Sequence, residues 1–187
     1  LYGSRVALHV GDPIDFHFPP YLANLVICQG GEQKVGDEYR SQVFKILRPY
    51  GGTAIFKSTD GSDGRTLEQF AADSLPTAEA KQRGEFTMLQ RVGALPGAAD
   101  WTHEYGNPAN TLMSFDQRVQ APLGILWFGG PAGDTNLFYN RHFWGPSIVV
   151  VDGRMFIQGP TKLAAVDIYT GRLLWKLPLS HNESYNP

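Results

Sequence analysis

The chain has 187 residues, of which 42% are hydrophobic, and a formal net charge of -2. This apolar content is enough for a folded core, and the near-neutral charge provides no basic surface for nucleic acid or anionic membranes. Cys28 is the single cysteine, so the sequence has neither a disulfide framework nor a cysteine-based metal site. No apolar run approaches the ~20 residues of a membrane span. Enzymes, ligand-binding modules and structural modules remain as function classes.

The first half of the chain is predicted to alternate between strands and helices. Strands are predicted at Arg5–Val10, at the apolar run Leu25–Cys28 and at Thr53–Phe56, with an amphipathic helix over Glu38–Leu47. Short links between such elements favour a doubly wound α/β sheet. We therefore expect residues 1–93 to form a partial α/β domain.

Two further elements are predicted before the boundary of this domain. Thr66 is a suitable N-cap for a helix that ends near Ala72, because its hydroxyl can accept from the first free backbone amides. Phe86–Val92 is predicted to be a strand at the edge of the sheet.

Three short patterns in this half resemble the later motifs of class I S-adenosylmethionine-dependent methyltransferases. They are Val10–Asp12, Asn24–Ile27 and the run Phe44–Ile55, in which Leu-Arg-Pro-Tyr-Gly-Gly is similar to that family's L-x-P-G-G. The resemblance implies the C-terminal half of a Rossmann-like sheet, S-adenosylmethionine as cofactor, and a site at Gly11 and Asp12. Asp12 would contact the adenine. The alternative is a domain that binds no cofactor and is kept for packing.

A boundary is predicted at residues 94–99, where small residues, Pro96 and Gly97 form a linker. The pattern then changes from α/β to all-β, so residues 100–187 are predicted to be a second unit. Four successive strand candidates occupy its end, and Asp152-Gly153 is a strong two-residue hairpin signal between the first two. The candidates are Ser147–Val151, Met155–Gln158, Leu163–Asp167 and Arg172–Leu177.

The most distinctive motif lies between the last two strand candidates. It comprises Ala165, Asp167, Thr170, Gly171 and Trp175. The Thr-Gly pair supplies a tight turn, in which glycine adopts positive φ, and the aspartate can accept hydrogen bonds from the backbone amides of that turn. The tryptophan then lies on the outgoing strand, where its large flat side chain can pack between sheets.

This order of residues resembles the repeat of PQQ-type (quinoprotein-like) β-propellers, in which the tryptophan docks on the neighbouring blade. The resemblance implies the lead-in and first blade of a propeller. Such folds need several blades, so we expect this chain to be a piece of a longer bacterial protein. Its partners would be further blades and an upstream methyltransferase half, in a periplasmic or cell-envelope location. PQQ and calcium are not expected to bind this segment by itself.

The two resemblances leave three hypotheses on function. The first is a non-catalytic or ligand-binding propeller scaffold that carries a methyltransferase-like domain. The alternatives are a methyltransferase of unknown acceptor and a dehydrogenase that uses PQQ and calcium. No catalytic residue or metal ligand can be assigned. His103 and Glu104 should point to opposite faces of a strand, and His142 lies in a loop that could close a binding face.

Overall fold

A computed structural model describes residues 2, 5–29, 36–57, 66–134, 137–139 and 145–179, without the side chains of 132 and 133. The described residues form two four-stranded sheets and two short α-helices. The predicted loop residue His142 and the last eight residues of the chain lie outside this description.

The first sheet contains one parallel pair of strands and one antiparallel hairpin. Strand β1 pairs in parallel with β2, β2 pairs with β4 and β4 with β3 in antiparallel fashion, so the order across the sheet is β1-β2-β4-β3. Helix α1 connects β1 to β2, and α2 connects β2 to β3. The bounds are β1 Leu25–Cys28, α1 Asp37–Ile46, β2 Thr53–Lys57, α2 Leu67–Ser74, β3 Ala78–Arg83 and β4 Phe86–Arg91.

The prediction of a Rossmann-like α/β half is wrong. The described chain is mostly β, and β1 with β2 is its single neighbouring parallel pair, while the remaining pairings of this sheet are antiparallel. Arg5–Val10 contributes no strand beyond an isolated bridge between Tyr2 and Val6. The apolar side chains of this segment are exposed, with Val10 92% accessible, so no sheet face holds it.

Helix α2 begins as its sequence indicates. The Thr66 hydroxyl accepts a hydrogen bond from the Gln69 amide at 3.2 Å, and the Gln69 side chain accepts one from the Thr66 amide at 3.0 Å. This reciprocal capping box satisfies two backbone donors that the first turn leaves free. The buried faces of both helices then cover one side of the sheet. The resulting core comprises Cys28, Val43, Phe44, Leu47, Ala54, Phe56, Leu67, Phe70, Ala71 and Leu89.

The second sheet is an antiparallel meander in which each strand pairs with the next. At the first connection both residues of the loop have positive φ, 49° at Asp152 and 72° at Gly153, as a type I′ hairpin turn requires. The all-β prediction for this half therefore fits in part. The described residues of this half form one open sheet, however, and no closed propeller. The strands are β5 Val149–Val151, β6 Arg154–Gln158, β7 Lys162–Asp167 and β8 Leu173–Pro178.

The segment that precedes the second sheet is largely irregular. Trp101 exchanges backbone hydrogen bonds with Val150 at 2.9 and 2.7 Å, which extends the sheet by one residue beyond β5. A short 3-10 helix spans Gly130–Gly133, and Leu137 follows it with its side chain fully buried. Neither of the described α-helices has the length and apolarity that crossing a bilayer requires.

Candidate functional site: the cleft between the two sheets

The two sheets are joined at the turn between β7 and β8. Arg48, which follows α1, donates from Nη1 to Oδ2 of Asp167 at 2.6 Å, across 119 positions of the chain. The other Asp167 oxygen accepts from the backbone amides of Tyr169 at 3.0 Å and Thr170 at 3.1 Å. The predicted turn bonds are thus confirmed. Asp167 is only 1% exposed, so its whole carboxylate is used to hold the turn to the first sheet.

A tryptophan holds the same turn from the other side. Trp127 donates from Nε1 to the carbonyl oxygen of Ile168 at 2.8 Å, and its ring covers Gly171. Gly171 has a φ of 67°, a conformation that L side chains rarely adopt, and an added Cβ would overlap the indole. Glycine is therefore required here both for the backbone conformation and for the close approach of Trp127.

A cleft of about 450 Å³ opens beside this joint. Residues of the predicted linker form one wall, including the buried Leu95, while Val150 and Ile168 of the second sheet form another. The polar side chains that line it are Tyr50, Asp100, Asp116, Arg118, Asp152 and Tyr169. The volume lies within the roughly 300–1,000 Å³ that small-molecule sites occupy.

Asp116 fixes the loop that forms the rim of the cleft. Its carboxylate accepts from the backbone amides of Ala99 at 3.1 Å, Arg118 at 2.7 Å and Val119 at 2.9 Å. Desolvation acts to raise the pKa of Asp116, but these hydrogen bonds and the charge of Arg118 lower the pKa below its usual value. Asp116 therefore stays ionised as a structural acceptor that ties this loop to the linker.

Two tyrosines lie between the sheets at this cleft. Burial, together with the charges of Asp100 and Asp152, raises the pKa of Tyr50. Burial is also the main cause that raises the pKa of Tyr169 to about 12, with the neighbouring tyrosines and the Asp116 charge acting in the same direction. Both hydroxyls are therefore protonated near neutral pH. They can donate hydrogen bonds but cannot serve as bases there.

A buried arginine supports the joint from within the first sheet. Arg91 lies 3.9 Å from the ring centroid of Phe44 and donates from Nη2 to the Phe44 carbonyl oxygen at 2.6 Å. Its guanidinium also lies 5.5 Å from the ring of Tyr21, which contacts Tyr169 edge-on at 5.6 Å. Burial lowers the pKa of Arg91. This stack of cation and aromatic rings connects the core of the first sheet to the β7–β8 turn.

Gly11 and Asp12 lie away from this cleft. The Asp12 carboxylate accepts from the backbone amide of Ile14 at 2.9 Å, which caps a local turn, and Gly11 has a φ of 153° beside the ring of Phe16. A neighbouring cavity holds about 230 Å³ and is lined by the loop that follows Asp12, by β1 and by α1, without Asp12 itself. This is smaller than a typical ligand pocket. Asp12 is therefore used as the acceptor of a local turn, and the binding of S-adenosylmethionine there stays a prediction.

The remaining motif residues divide between core and surface. Ala165 is fully buried in β7, opposite Trp175 in β8. Trp175 is 39% exposed, and its ring lies 6.1 Å from that of Phe156 in a tilted arrangement. The Trp127 ring lies on Gly171.

The other polar candidates form no shared site. The His103 ring nitrogen Nδ1 lies 2.8 Å from the hydroxyl of its neighbour Thr102, in an exposed turn. Within the described ranges, no three His, Cys, Asp or Glu side chains are grouped so that they could hold a metal ion.

Sequence reasoning missed the residues that build the cleft. Arg48 and Tyr50 lay inside a pattern interpreted as a cofactor-family motif, and Asp116 and Arg118 lay in a segment without periodicity. A signal for Asp116 was present, since an aspartate in a polar loop often accepts from the backbone amides that follow it. No family model, no curated protein and no solved structure matches this chain.

Proposed function

We propose that this chain is a non-catalytic scaffold whose two sheets are held together so that they maintain a small-molecule cleft. The observation that carries the proposal is the use of Asp167, whose buried carboxylate binds one side chain and two backbone amides. A buried carboxylate with these partners stabilises a structure and is not available to move a proton. Asp116 at the rim of the cleft is used in the same way.

The second sheet is proposed to carry further parts of the same protein. Trp175 and Leu177 alternate along the outermost strand β8, opposite Ala165 and Leu163, and both are exposed. An apolar row on an edge strand is a surface that proteins normally cover or pair. The propeller resemblance stays a prediction from the turn motif, and this exposed row supports an additional packed layer.

Hydrogen exchange of the intact chain tests the scaffold proposal. The Tyr169 and Thr170 amides should exchange with the protection of the sheet cores, because both are bonded to the buried Asp167. Arg48→Met should expose these two amides while it leaves the β3–β4 hairpin protected. Fast exchange at both amides in the unmodified protein would overturn the proposal.

The methyltransferase alternative rests on the resemblance alone, and no step is derived through the cofactor. Calorimetric titration with S-adenosylhomocysteine, beside an Asp12→Ala variant, tests it. Micromolar binding that the variant abolishes would favour a cofactor site near Asp12. A folded protein that produces no heat would leave the scaffold proposal in place.

A further inference from the structure

We propose that the cleft between the sheets binds an organic cation, namely a primary amine attached to an apolar or aromatic body. This inference rests on the proposed function, because it requires the two sheets to be held together. Three features of the lining indicate this class of ligand: carboxylates without an ion-pair partner among the described residues, two tyrosine rings and an apolar wall.

The carboxylates of Asp100 and Asp152 carry the charge selectivity. Three carboxylates and one guanidinium line the cleft, but Asp116 is occupied by three backbone amides and lies under the charge of Arg118. Arg118 itself donates to the Tyr21 hydroxyl at 3.1 Å. Asp100 accepts from the Asp152 backbone amide at 3.2 Å, which places the two residues together.

The Asp152 carboxylate is the better anchor of the two. Within the described part of the chain it accepts no hydrogen bond and forms no ion pair. Burial, followed by the charges of Asp100 and Asp152, raises the pKa of Tyr50, whose hydroxyl both carboxylates therefore influence. A cation placed here would lower the energy of both carboxylates, whereas an anion would be repelled.

The tyrosine rings supply a second reason for a cation. A Cβ added at Gly153 would lie 2.6 Å from Cδ2 of Tyr50 and 3.4 Å from Cε2 of Tyr169, so both rings converge on the hairpin turn that carries Asp152. Ammonium groups are attracted to aromatic faces within about 6 Å of the ring centroid. The turn therefore combines a carboxylate with two rings.

The apolar wall accounts for the rest of the ligand. Leu95, Val150 and Ile168 line the interior, and the volume of about 450 Å³ is large enough for a ring or a short alkyl chain. A bare metal ion would leave this wall uncovered, and the described residues offer it no group of three ligands. In an amine with an apolar body, the ammonium group would contact the carboxylates and the body would cover the apolar wall.

The experiment is an NMR titration of the ¹⁵N-labelled intact chain with 2-phenylethylamine. The controls for ligand charge are 2-phenylethanol and phenylacetate, which keep the aromatic body. Asp152→Asn and Asp100→Asn remove one carboxylate each, and asparagine tolerates the positive φ of 49° at position 152. Glu85→Gln is the matched control, because it removes an exposed charge from the β3–β4 hairpin, which does not line the cleft.

We expect the amine to shift amide signals of the cleft. Each Asp→Asn change should weaken amine binding by about threefold, as the loss of one exposed ion pair predicts. The alcohol and the acid should bind more weakly than the amine. Equal binding of amine and alcohol, or equal effects of Asp152→Asn and Glu85→Gln, would overturn the inference. If the amine does not bind while the Tyr169 and Thr170 amides are protected from exchange, the amine site is overturned and the scaffold proposal stands. If these amides are unprotected, the scaffold proposal itself is overturned.

Discussion

Trp127 covers Gly171 and donates from its indole nitrogen to the carbonyl oxygen of Ile168 at 2.8 Å. The tryptophan belongs to a segment without regular secondary structure, and it is this turn of the second sheet that holds it in place. The same turn receives Arg48 from the first sheet through Asp167. Five consecutive residues, 167–171, therefore connect three separate parts of the chain.

Gly171→Ala should destabilise the protein by about 1–3 kcal/mol, the usual result of forcing a methyl group into a packed contact. The new Cβ would overlap the Trp127 ring, and alanine is strained at the φ of 67°. Gly84→Ala is the matched control, since its φ is 59° but nothing lies within 4 Å of an added Cβ. Urea denaturation measures both free energies of unfolding. Equal losses in the two variants would contradict the Trp127 contact.

Trp175→Ala should destabilise this chain by about 2 kcal/mol, because the part-buried ring loses both its area burial and one aromatic pair. The side chain is 39% exposed, and its described aromatic neighbour is Phe156. Thermal unfolding of the variant measures the loss. A loss of about 3–5 kcal/mol, which is typical of fully buried aromatic residues, would show that Trp175 is covered and would contradict the exposed β8 row.

Stability should fall as the pH rises from about 10 to about 12. Burial, followed by the hydrogen bond with Cys28, raises the pKa of Tyr39 to about 12, and burial raises that of Tyr169 equally. An unfolded tyrosine loses its proton near pH 10, so above that value the unfolded state binds fewer protons and is favoured. The contribution is fully present below pH 10.

The test for this pH dependence is urea denaturation between pH 8 and about pH 11.5. Tyr169→Phe should flatten the alkaline decline, because it removes one of the two raised groups. Tyr105→Phe changes an exposed ring and serves as the control. An alkaline decline that is the same in both variants would contradict the burial of the Tyr169 hydroxyl.

Much of the secondary structure could be predicted, because local signals agree with the final environment. β1, α1, β2 and the four strands of the second sheet lie within a few residues of their predicted places. The apolar runs of β1 and β2 form strands, although Leu25 and Ile27 of β1 are exposed, and the Asp152-Gly153 pair matches its turn type. These signals lie in short stretches of sequence, so they can be interpreted without knowledge of the rest of the fold.

The sheet architecture could not be predicted from the same signals. Strand β3 was missed because Ala78–Arg83 is polar and lacks β-branched residues. Its extended conformation depends on pairing with six residues of β4. Arg5–Val10 has an apolar composition typical of a strand, but its side chains stay exposed. The alternation of predicted strands and a helix suggested a doubly wound sheet, whereas the hairpin β3–β4 makes the sheet mixed.

The cleft was beyond prediction because its residues are distant in sequence. Tyr50, Asp116 and Asp152 belong to three different parts of the chain, and long-range contacts such as Arg48 with Asp167 and Asp100 with Asp152 bring them together. Asp167 was identified from its turn, but its partner Arg48 lies 119 positions away. No local pattern specifies such a pair.

The central claim is that Arg48 and Asp167 lock the two sheets together, and a double-mutant cycle tests it most directly. Urea unfolding would be measured for the unmodified chain, Arg48→Met, Asp167→Asn and the double variant. Arg48→Met should cost about 3 kcal/mol, because it leaves the buried Asp167 charge uncompensated. The double variant should lose less than the sum of the single variants, with a coupling energy of at least about 1 kcal/mol. Strictly additive losses, or an Arg48→Met variant as stable as the unmodified chain, would contradict the claim.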